Sequence, residues 1–288
     1  MLPIYYINDE WHHKNKCGLE LLENAKLWKG ENDGIIIVNH IDENINKNYD
    51  RVIMGPHIEF NKQLTYCKEY QCEKPLLCNV LSPWLKELFD RYASNPKITY
   101  YAIPFPVDVE RFCPTEKKKK YFIYIKHVEE ERIQQIYQLI ESFTSIIGDY
   151  ECSIFKYGSY QENDYVNYIQ SAQFGIWVDA HESQGFALEE ALSCNCPLFV
   201  YDITSLKDEC NDNGNHPWAH MTIDLPATSA SYFDDSCGMI CREKESLHNR
   251  FTSFLQVLPR YTPRQFVLEH LTTKQFMERI QAIFKDTT

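Results

Sequence analysis

The sequence of 288 residues predicts an α/β protein with two domains, each built on a parallel sheet. Short apolar runs of strand length alternate with segments whose apolar residues recur at helical spacing. A proline-rich stretch interrupts this alternation, which then begins again. A chain of this length exceeds one typical small domain, so two domains are the expectation.

In the first half, the predicted strands are short and apolar, which is typical of buried parallel strands. They cover residues 3–8, 34–38, 51–54, 75–80 and 97–103. Helical spacing predicts helices over 17–29 and 82–93, and Ser82 and Pro83 suit the N-cap and first position of the second helix. This order favours parallel strands joined by right-handed crossovers.

The stretch 104–120, PFPVDVERFCPTEKKKK, contains three prolines and four consecutive lysines. Because proline favours extended chain and does not fit regular pairing, this stretch is the best linker candidate. We therefore predict an N-terminal Rossmann-like domain over 1–105, a linker over 106–120 and a C-terminal Rossmann-like domain over 121–272. Their parallel sheets are expected to face a cleft, with ligands at the carboxyl ends of the strands.

The same alternation predicts the elements of the second domain. The strands are expected at 121–126, 151–158, 174–179, 197–202 and 237–242. The helices are expected at 130–147, 162–172, 184–194, 244–258, 263–271 and 273–285.

The formal net charge of −12 argues against a nucleic-acid partner, since a phosphate backbone requires a basic surface. It also disfavours docking on an anionic membrane, whereas a few local cations suffice for a small anionic ligand. No stretch has the length of a transmembrane span, and the N-terminus lacks the pattern of a signal peptide. The 11 cysteines show no framework spacing, so we expect reduced thiols and a cytoplasmic protein.

Two glutamates, Glu182 and Glu190, lie in the stretch HESQGFALEEALSCNCP, residues 181–197. A predicted strand ends just before this stretch, and a helix is expected to begin near Gln184. The first turn of a helix offers unpaired backbone N–H groups and a positive dipole end, and Gly185 lets a ligand approach closely. This arrangement suits a diphosphate. Glu182 would lie at the loop rim, and Glu190 could accept hydrogen bonds from a ribose diol.

This stretch resembles the E-x7-E signature of the retaining GT-B glycosyltransferases of family four, the "glycosyl transferases group one". The resemblance implies that Glu182 contacts the donor sugar and that Glu190 binds the nucleotide ribose. It also implies that the residues between them hold the donor, namely Ser183, Gln184, Gly185, Phe186 and Ala187. The usual Gly-Phe-Gly order of the family is not present in this stretch. It therefore stays open which backbone amide binds which phosphate of the donor. Asn195 stands where the family has glycine, and asparagine is the best other residue for a left-handed helix end.

Two further segments are similar to the same family. FIYIKHVEEERI, residues 122–133, resembles the first strand of its C-terminal domain, which is followed by two basic residues that neutralise the donor diphosphate. Lys126 and Arg132 match those positions, Arg132 with a spacing shifted by one residue. The closing stretch resembles the family's last helices, so the helix at 273–288 is expected to cross back to the N-terminal domain.

The N-terminal half shows only the expected alternation of elements. His57 follows a predicted strand, at the place where members of the family often carry a functional histidine. His40 follows another predicted strand and is a similar candidate.

The resemblance implies a glycosyltransferase that moves a sugar from a nucleoside-diphosphate sugar to an acceptor hydroxyl, with retention and without metal. The acceptor would be a glycan, a protein-glycan or a small molecule. Basic side chains and the helix N-terminus would stabilise the charge of the departing diphosphate. The candidate catalytic residues are Glu182, Lys126, Arg132 and His57. No metal and no cofactor are expected, since no Asp-x-Asp motif occurs in a metal-binding setting.

Two other functions stay open for the same fold. A nucleotide-sugar 2-epimerase-like enzyme would act on the donor alone, and a non-catalytic nucleotide- or sugar-binding protein would fit the short N-terminal domain. Zinc is a weaker option, because the possible ligands lack closely spaced pairs. Those ligands are Cys210, His216, His220, Cys237 and Cys241.

Overall fold

The computed structural model describes residues 2–58, 62, 65–66, 69–70, 73–211, 214–222 and 224–285. The chain divides into two compact units, Met1–Pro106 with Leu271–Thr288, and Val107–His270. Each unit contains its own parallel sheet, so the predicted class of two Rossmann-like α/β domains is confirmed. Residues 107–120, expected to be a linker, belong to the second unit, and the closing helix belongs to the first.

The first unit is built on a six-stranded sheet with the order β2-β1-β3-β4-β5-β6. Every pairing in it is parallel. The strands are β1 (Ile4–Tyr6), β2 (Ala25–Leu27), β3 (Ile35–Val38), β4 (Val52–Met54), β5 (Leu76–Asn79) and β6 (Ile98–Tyr101). Among the fully described segments of this half, the helices are α1 (His13–Glu20), α2 (Glu43–Asn48) and α3 (Pro83–Tyr92). The strand order reverses between β1 and β3, as in doubly wound sheets.

The predicted helix over 17–29 is wrong. Helix α1 forms earlier, and the chain then enters β2, where Ala25 pairs with Ile4. Strand β2 lies at the sheet edge, and its side chains are exposed or half-buried. An edge strand of this kind has no apolar pattern of its own, so pairing with β1 decides its conformation.

The second unit is built on a five-stranded parallel sheet with the order β11-β10-β9-β7-β8. The strands are β7 (Lys120–Lys126), β8 (Glu151–Lys156), β9 (Phe174–Asp179), β10 (Leu198–Tyr201) and β11 (Gly238–Cys241). The helices are α4 (Glu130–Ser142), α5 (Thr144–Ile147), α6 (Glu162–Ser171), α7 (Phe186–Ser193), α8 (Leu247–Val257) and α9 (Pro263–His270). The predicted helix over 130–147 is therefore two helices, because the backbone leaves the helical conformation at Phe143.

The core of the second unit is rich in aromatic rings. Phe174, Phe199, Phe251 and Phe254 are fully buried between the sheet and α8. On strands β7 and β9, the rings of Tyr124 and Trp177 stack with centroids 3.9 Å apart. Burying aromatic rings of this size stabilises a core strongly, so the carboxyl ends of β7 and β9 rest on a rigid support.

The last helix, α10 (Thr273–Ile283), packs within the first unit. The ring of Phe276 lies 5.4 Å from that of Phe105, and the Gln281 side chain donates a hydrogen bond to the backbone carbonyl of Leu2 at 3.1 Å. None of the helices in the described ranges combines the length and apolar character that crossing a bilayer requires.

The C-terminal end of α7 is fixed by a backbone motif and by one arginine. Asn195 has φ +52°, which confirms the left-handed conformation expected there, and the N–H groups of Asn195 and Cys196 bind the carbonyls of Leu192 and Ala191. The guanidinium of Arg264 donates to the carbonyl of Ser193 at 2.7 Å. The same guanidinium binds the carbonyls of residues 109 and 112, so the start of the second unit is tied to α7.

Replacing Asn195 with alanine should destabilise the protein, because a Cβ without a local polar partner disfavours the left-handed conformation by about 1–2 kcal/mol. Asn195→Gly should lose much less, since glycine adopts this conformation freely. Urea unfolding of both variants measures the difference. Equal losses in the two variants would contradict the role assigned to the backbone conformation.

Candidate active site

The candidate site lies where the strand order of the second sheet reverses. Strand β8 lies on one side of β7, whereas β9, β10 and β11 lie on the other. Ligands in such sheets bind at the carboxyl ends of the two strands that flank the reversal, here β7 and β9. The last residues of these strands, Lys126 and Asp179, are register partners. The sheet topology thus brings a cation and a carboxyl group to the binding position.

Lys126 forms an ion pair with Glu182, which lies in the loop after β9. The distance between Lys126 Nζ and Glu182 Oε1 is 2.6 Å, and the two side chains are 12% and 15% exposed. The ammonium also lies 4.7 Å from the centroid of the Tyr157 ring. A charged hydrogen bond that is largely shielded from water is stronger than a surface ion pair.

Asp179 is fully buried close to this ion pair. Burial raises the pKa of Asp179 well above its ordinary value; Lys126 opposes this shift, and the negative charge of Glu182 adds to it. Burial also acts to raise the pKa of Glu182, but the charge and hydrogen bond of Lys126 outweigh it, so the net shift is downward. The ammonium of Lys126 thus favours the ionised form of Glu182, whereas burial disfavours the ionised form of Asp179.

The loop after Glu182 leads into the N-terminus of α7. Gly185 is the N-cap and has φ +93°, a conformation that favours glycine, so the helix begins one residue later, at Phe186. Ser183 is exposed, and Phe186 and Ala187 are half-buried. The first turn of the helix directs backbone N–H groups and the positive end of the helix dipole out of its N-terminus.

Gln184 and Glu190 are both buried. The Gln184 amide donates a hydrogen bond to Glu189 Oε2 at 2.9 Å, so this side chain braces the first turn of α7. Glu190 lies one residue further along α7, where its charge acts on the phenols of Tyr160 and Tyr165. Burial, with a smaller contribution from Glu190, raises the pKa of Tyr160 to about 12.

Arg132 contacts the end of strand β10. Its Nη2 donates to the backbone carbonyls of Tyr201 and Asp202 at 2.8 and 2.9 Å. The guanidinium also lies 3.7 Å from the centroid of the Tyr201 ring. These contacts place Arg132 at the carboxyl edge of the sheet. The basic partner in the ion pair at the ends of β7 and β9 is Lys126.

The sequence interpretation missed Asp202, which organises the loop that holds Glu182. Asp202 is fully buried directly after β10 and accepts hydrogen bonds from Thr228 Oγ1 at 2.7 Å and from the backbone N–H of Ser229 at 2.8 Å. It also accepts from Ser229 Oγ at 3.0 Å and forms an ion pair with Arg242 at 3.0 Å. An acidic residue directly after a buried strand was the available signal, but its partners are distant in sequence.

The loop that Asp202 organises holds the backbone of Glu182 on both sides. The N–H of Glu182 donates to the carbonyl of Thr228 at 3.2 Å, and Ser231 Oγ donates to the carbonyl of Glu182 at 2.6 Å. These bonds leave the side chain of Glu182 directed to Lys126. The backbone on which Glu182 is carried is thus fixed independently of the ion pair.

A cavity of about 390 Å³ lies beside Lys126, at the carboxyl ends of β7 and β8. Its lining includes Lys126, Lys156, Tyr157, Ser159 and Asn211. Cavities of this size hold small organic ligands; the lining carries two lysines and the carboxylate of Glu130, and Lys126 is paired with Glu182.

In the first unit, the loops after β1, β3 and β4 meet at the carboxyl edge of the sheet. The backbone N–H of His57 donates to the carbonyl of Asn39 at 2.8 Å, and His57 Nδ1 lies 3.3 Å from the Asn39 side-chain nitrogen. His40 Nδ1 lies 2.6 Å from Asp9 Oδ2. Both histidines are exposed, so each can meet a ligand at this edge.

The residues considered for zinc do not form a cluster. Cys237 is buried directly before β11, Cys241 ends that strand, and His216 contacts Glu129 at 3.1 Å. Within the described ranges, no three His, Cys, Asp or Glu side chains are grouped so that they could hold a metal ion.

No family model matches the sequence, and no curated protein matches it significantly. Solved structures are similar over most of the chain. TarM from S. aureus has a TM-score of 0.53 and 14% identity, covering 94% of this chain and 59% of TarM. The lipopolysaccharide outer core galactosyltransferase WaaB has a TM-score of 0.52 and 11% identity, covering 99% of this chain and 100% of WaaB.

The GtfA/B complex has a TM-score of 0.50 and 14% identity, covering 89% of this chain and 57% of the matched chain. The chain has the fold of the GT-B glycosyltransferases. It spans a little under three fifths of the matched GtfA/B chain and of TarM. At these identities, the likeness concerns the arrangement of the backbone.

Removing both partners of the Lys126–Glu182 pair should destabilise the protein less than the sum of the two single removals, because each single removal leaves the remaining charge buried without its counterion. Lys126→Met and Glu182→Gln should each cost about 3 kcal/mol in the free energy of unfolding. The double variant should lose about 1–3 kcal/mol less than the sum. Urea unfolding of all four proteins measures this coupling. The same cycle on the exposed pair Lys119–Asp149 should show none, and additive losses at Lys126 and Glu182 would contradict a buried ion pair.

Asp179→Asn should change the pH dependence of stability. Because the pKa of Asp179 is raised in the folded protein, its contribution is fully present below the ordinary aspartate pKa and is lost as pH rises towards the raised value. Relative to the wild type, the variant should therefore gain stability as pH rises, by at most about 1.4 kcal/mol per pH unit. Urea unfolding between pH 4 and 8 measures this difference. A difference that stays constant over this range would show that Asp179 ionises normally.

Proposed function

We propose that this protein is a glycosyltransferase that moves a sugar from a nucleoside-diphosphate sugar to an acceptor hydroxyl, with retention and without metal. The observation that carries the proposal is the shielded Lys126–Glu182 pair at the strand reversal, in front of the N-terminus of α7. This arrangement combines a cation for a diphosphate with a carboxylate for sugar hydroxyls.

Lys126 is proposed to stabilise the departing diphosphate. In the transfer, the bond between the sugar carbon and the diphosphate oxygen breaks, and its electron pair stays on that oxygen. The acceptor oxygen bonds to the same carbon and loses its proton. An ammonium group has three N–H donors, so Lys126 can bind a phosphate oxygen while it still contacts Glu182. A fixed cation in a site shielded from water stabilises the developing charge more than it would in bulk water.

The N-terminus of α7 is proposed to bind the same diphosphate. Backbone N–H groups in the first turn, at Phe186 and Ala187, provide donors of fixed direction. Gly185 has no side chain to block this approach, and Gln184 braces the turn through Glu189. Ser183 is exposed at the rim and can meet the sugar.

Glu190 is proposed to bind the ribose diol of the nucleotide. A carboxylate has two oxygens and accepts hydrogen bonds only, which suits two neighbouring hydroxyl donors. The cavity of about 390 Å³ is lined by Lys126 and by the ends of β7 and β8, and Glu190 is not among its lining residues, so it supports ligand binding at Lys126 and not the role of Glu190. The TarM structure that resembles this chain contains UDP, which is consistent with a nucleotide donor.

Arg132 and His57 are proposed to assist from the edges of the two sheets. Arg132 would add positive charge at the carboxyl end of β10 and keep that strand end in place through its carbonyl contacts. His57 is proposed to act on the acceptor. The acceptor is proposed to be a glycan, a protein-glycan or a small molecule, as WaaB, a lipopolysaccharide galactosyltransferase, is similar in fold.

A cytoplasmic location is part of the same proposal. Cys113, Cys152, Cys194, Cys196, Cys210, Cys237 and Cys241 are free thiols, which is typical of a reducing compartment.

Glu190→Ala should weaken the binding of a nucleoside diphosphate by about tenfold to a hundredfold, because hydrogen bonds to a charged acceptor contribute about 1.5–3 kcal/mol. Titration calorimetry with UDP, GDP and ADP measures this affinity, after a thermal-shift screen has selected the base. Glu269→Ala, which removes an exposed carboxylate from α9, is the control and should bind as the wild type does.

The outcomes separate the possible functions. Transfer of sugar to an added acceptor supports the proposal, and product from the donor alone would indicate an epimerase. Binding without turnover would indicate a non-catalytic protein. Wild-type affinity and turnover in Glu190→Ala would contradict the site itself.

A further inference from the structure

The carboxylate of Glu209 lies between two histidine rings in the second unit. Its Oε1 is 3.8 Å from His127 Nδ1, and its Oε2 is 3.3 Å from His181 Nδ1. The Glu209 side chain is only 12% exposed, and the two rings are 30% and 25% exposed. One largely shielded carboxylate thus contacts two rings that belong to different loops.

These two histidines directly adjoin the ion pair of the candidate site. His127 follows Lys126 at the end of β7, and His181 precedes Glu182 in the loop after β9. The backbones of His127 and His181 share a rigid peptide plane with Lys126 and Glu182, so a constraint on the backbone of either histidine also acts on its neighbour. Glu209 therefore contacts the immediate neighbours of both partners of the Lys126–Glu182 pair.

Glu209 itself is held firmly. The indole N–H of Trp218 donates a hydrogen bond to Glu209 Oε2. The backbone N–H of the next residue, Cys210, donates to the carbonyl of His127 at 2.8 Å. Directly before Glu209, a short helical turn over Leu206–Asp208 is closed by a capping box between Ser205 and Asp208. The carboxylate is thus presented from a segment fixed by its own hydrogen bonds.

His127 shows that the end of β7 depends on this support. It has φ +51°, a left-handed conformation that costs free energy in a residue with a side chain. Such conformations persist where the surroundings fix them, and they concentrate at functional sites. The surroundings of His127 include the Cys210 N–H and the Glu209 carboxylate.

We propose that Glu209 is a positioning residue: its carboxylate fixes His127 and His181 and thereby holds Lys126 and Glu182 in their ion pair. A carboxylate attracts an N–H and repels a ring lone pair, so Glu209 Oε2 at 3.3 Å favours the Nδ1–H form of His181, while its contact with His127 at 3.8 Å is longer than a hydrogen bond. The consequence for ligand affinity rests on the function proposed above, whereas the consequence for the two rings and for Lys126 does not.

The pKa of His181 depends on the charged groups around its ring. Burial lowers the pKa of His181; Glu209 and Glu182 act to raise it, and Lys126 and His127 act to lower it. Removing the charge of Glu209 should therefore lower the pKa of His181 further. This shift is a spectroscopic signature that a loss of packing alone would not produce.

Glu209→Gln is the decisive variant, because it keeps the shape of the side chain and replaces one acceptor with a donor. NMR of the imidazole nitrogens should show the His181 ring in the Nδ1–H form in the wild type. In the variant, the tautomer population of His181 should change, and its pKa should fall. The Lys126 Nζ signal should broaden or shift towards that of a solvated lysine, since its ion pair loosens.

Nucleoside-diphosphate affinity is the second measurement. The dissociation constant for UDP, GDP or ADP, whichever the wild type binds, should rise about tenfold in Glu209→Gln, and Glu209→Ala should show at least the same loss. Glu129→Gln is the matched control. This variant removes a carboxylate that contacts a different histidine, His216. It should leave the pKa of His181 and the affinity for the nucleoside diphosphate unchanged.

Unchanged imidazole and Lys126 signals in a folded Glu209→Gln protein would overturn the positioning role. That role would also be refuted if the rings change but Lys126 and the affinity do not, or if Glu129→Gln has the same effects as Glu209→Gln. A wild-type protein that binds no nucleoside diphosphate would refute the proposed function, and the NMR results would still decide the role of Glu209.

Discussion

The structure of the second unit depends on how one ammonium and two carboxyl groups share a place shielded from water. Lys126 can neutralise one carboxylate, and Glu182 takes that role at 2.6 Å. Asp179 is then forced towards its neutral form, because burial and the charge of Glu182 both oppose its ionisation. A site with one cation and one anion is nearly neutral as a whole. It can therefore exist within a protein that carries a formal net charge of −12 and still attract a diphosphate through a local cation.

This charge balance needs a fixed backbone, and the sheet provides it. The parallel register of β7 and β9 sets Lys126 opposite Asp179, and the aromatic core beneath them resists displacement. Around this edge, Asp202 fixes the loop that holds the backbone of Glu182. Glu209 contacts the rings next to Lys126 and Glu182. Lys126 and Asp179 thus lie at rigid strand ends, and buried Asp202 orients the loop that holds Glu182.

Several residues of the site could be predicted because their role is local. A strand, a loop with Gly185 and a helix follow one another in sequence, so the N-terminus of α7 at a strand end could be expected. Asn195 could be assigned a left-handed helix end for the same reason, and its φ of +52° agrees. Arg132 was chosen by spacing along the chain, but its contacts are with the carbonyls of β10, a strand some seventy residues away. Spacing along the chain predicts which face of a helix carries a side chain. The contact partner of that side chain depends on which strand packs beside the helix.

The sequence by itself determined the fold class and the strand–loop–helix unit that carries Glu182 and Glu190. These features follow from apolar periodicity and turn chemistry, which act between residues close in the chain. Only the tertiary structure decided that the edge segment Ala25–Leu27 is a strand, that Lys126 pairs with Glu182, and that Asp202 and Glu209 support the site. Each of these depends on partners that sheet order and burial bring together. Such partners cannot be identified from a local sequence pattern.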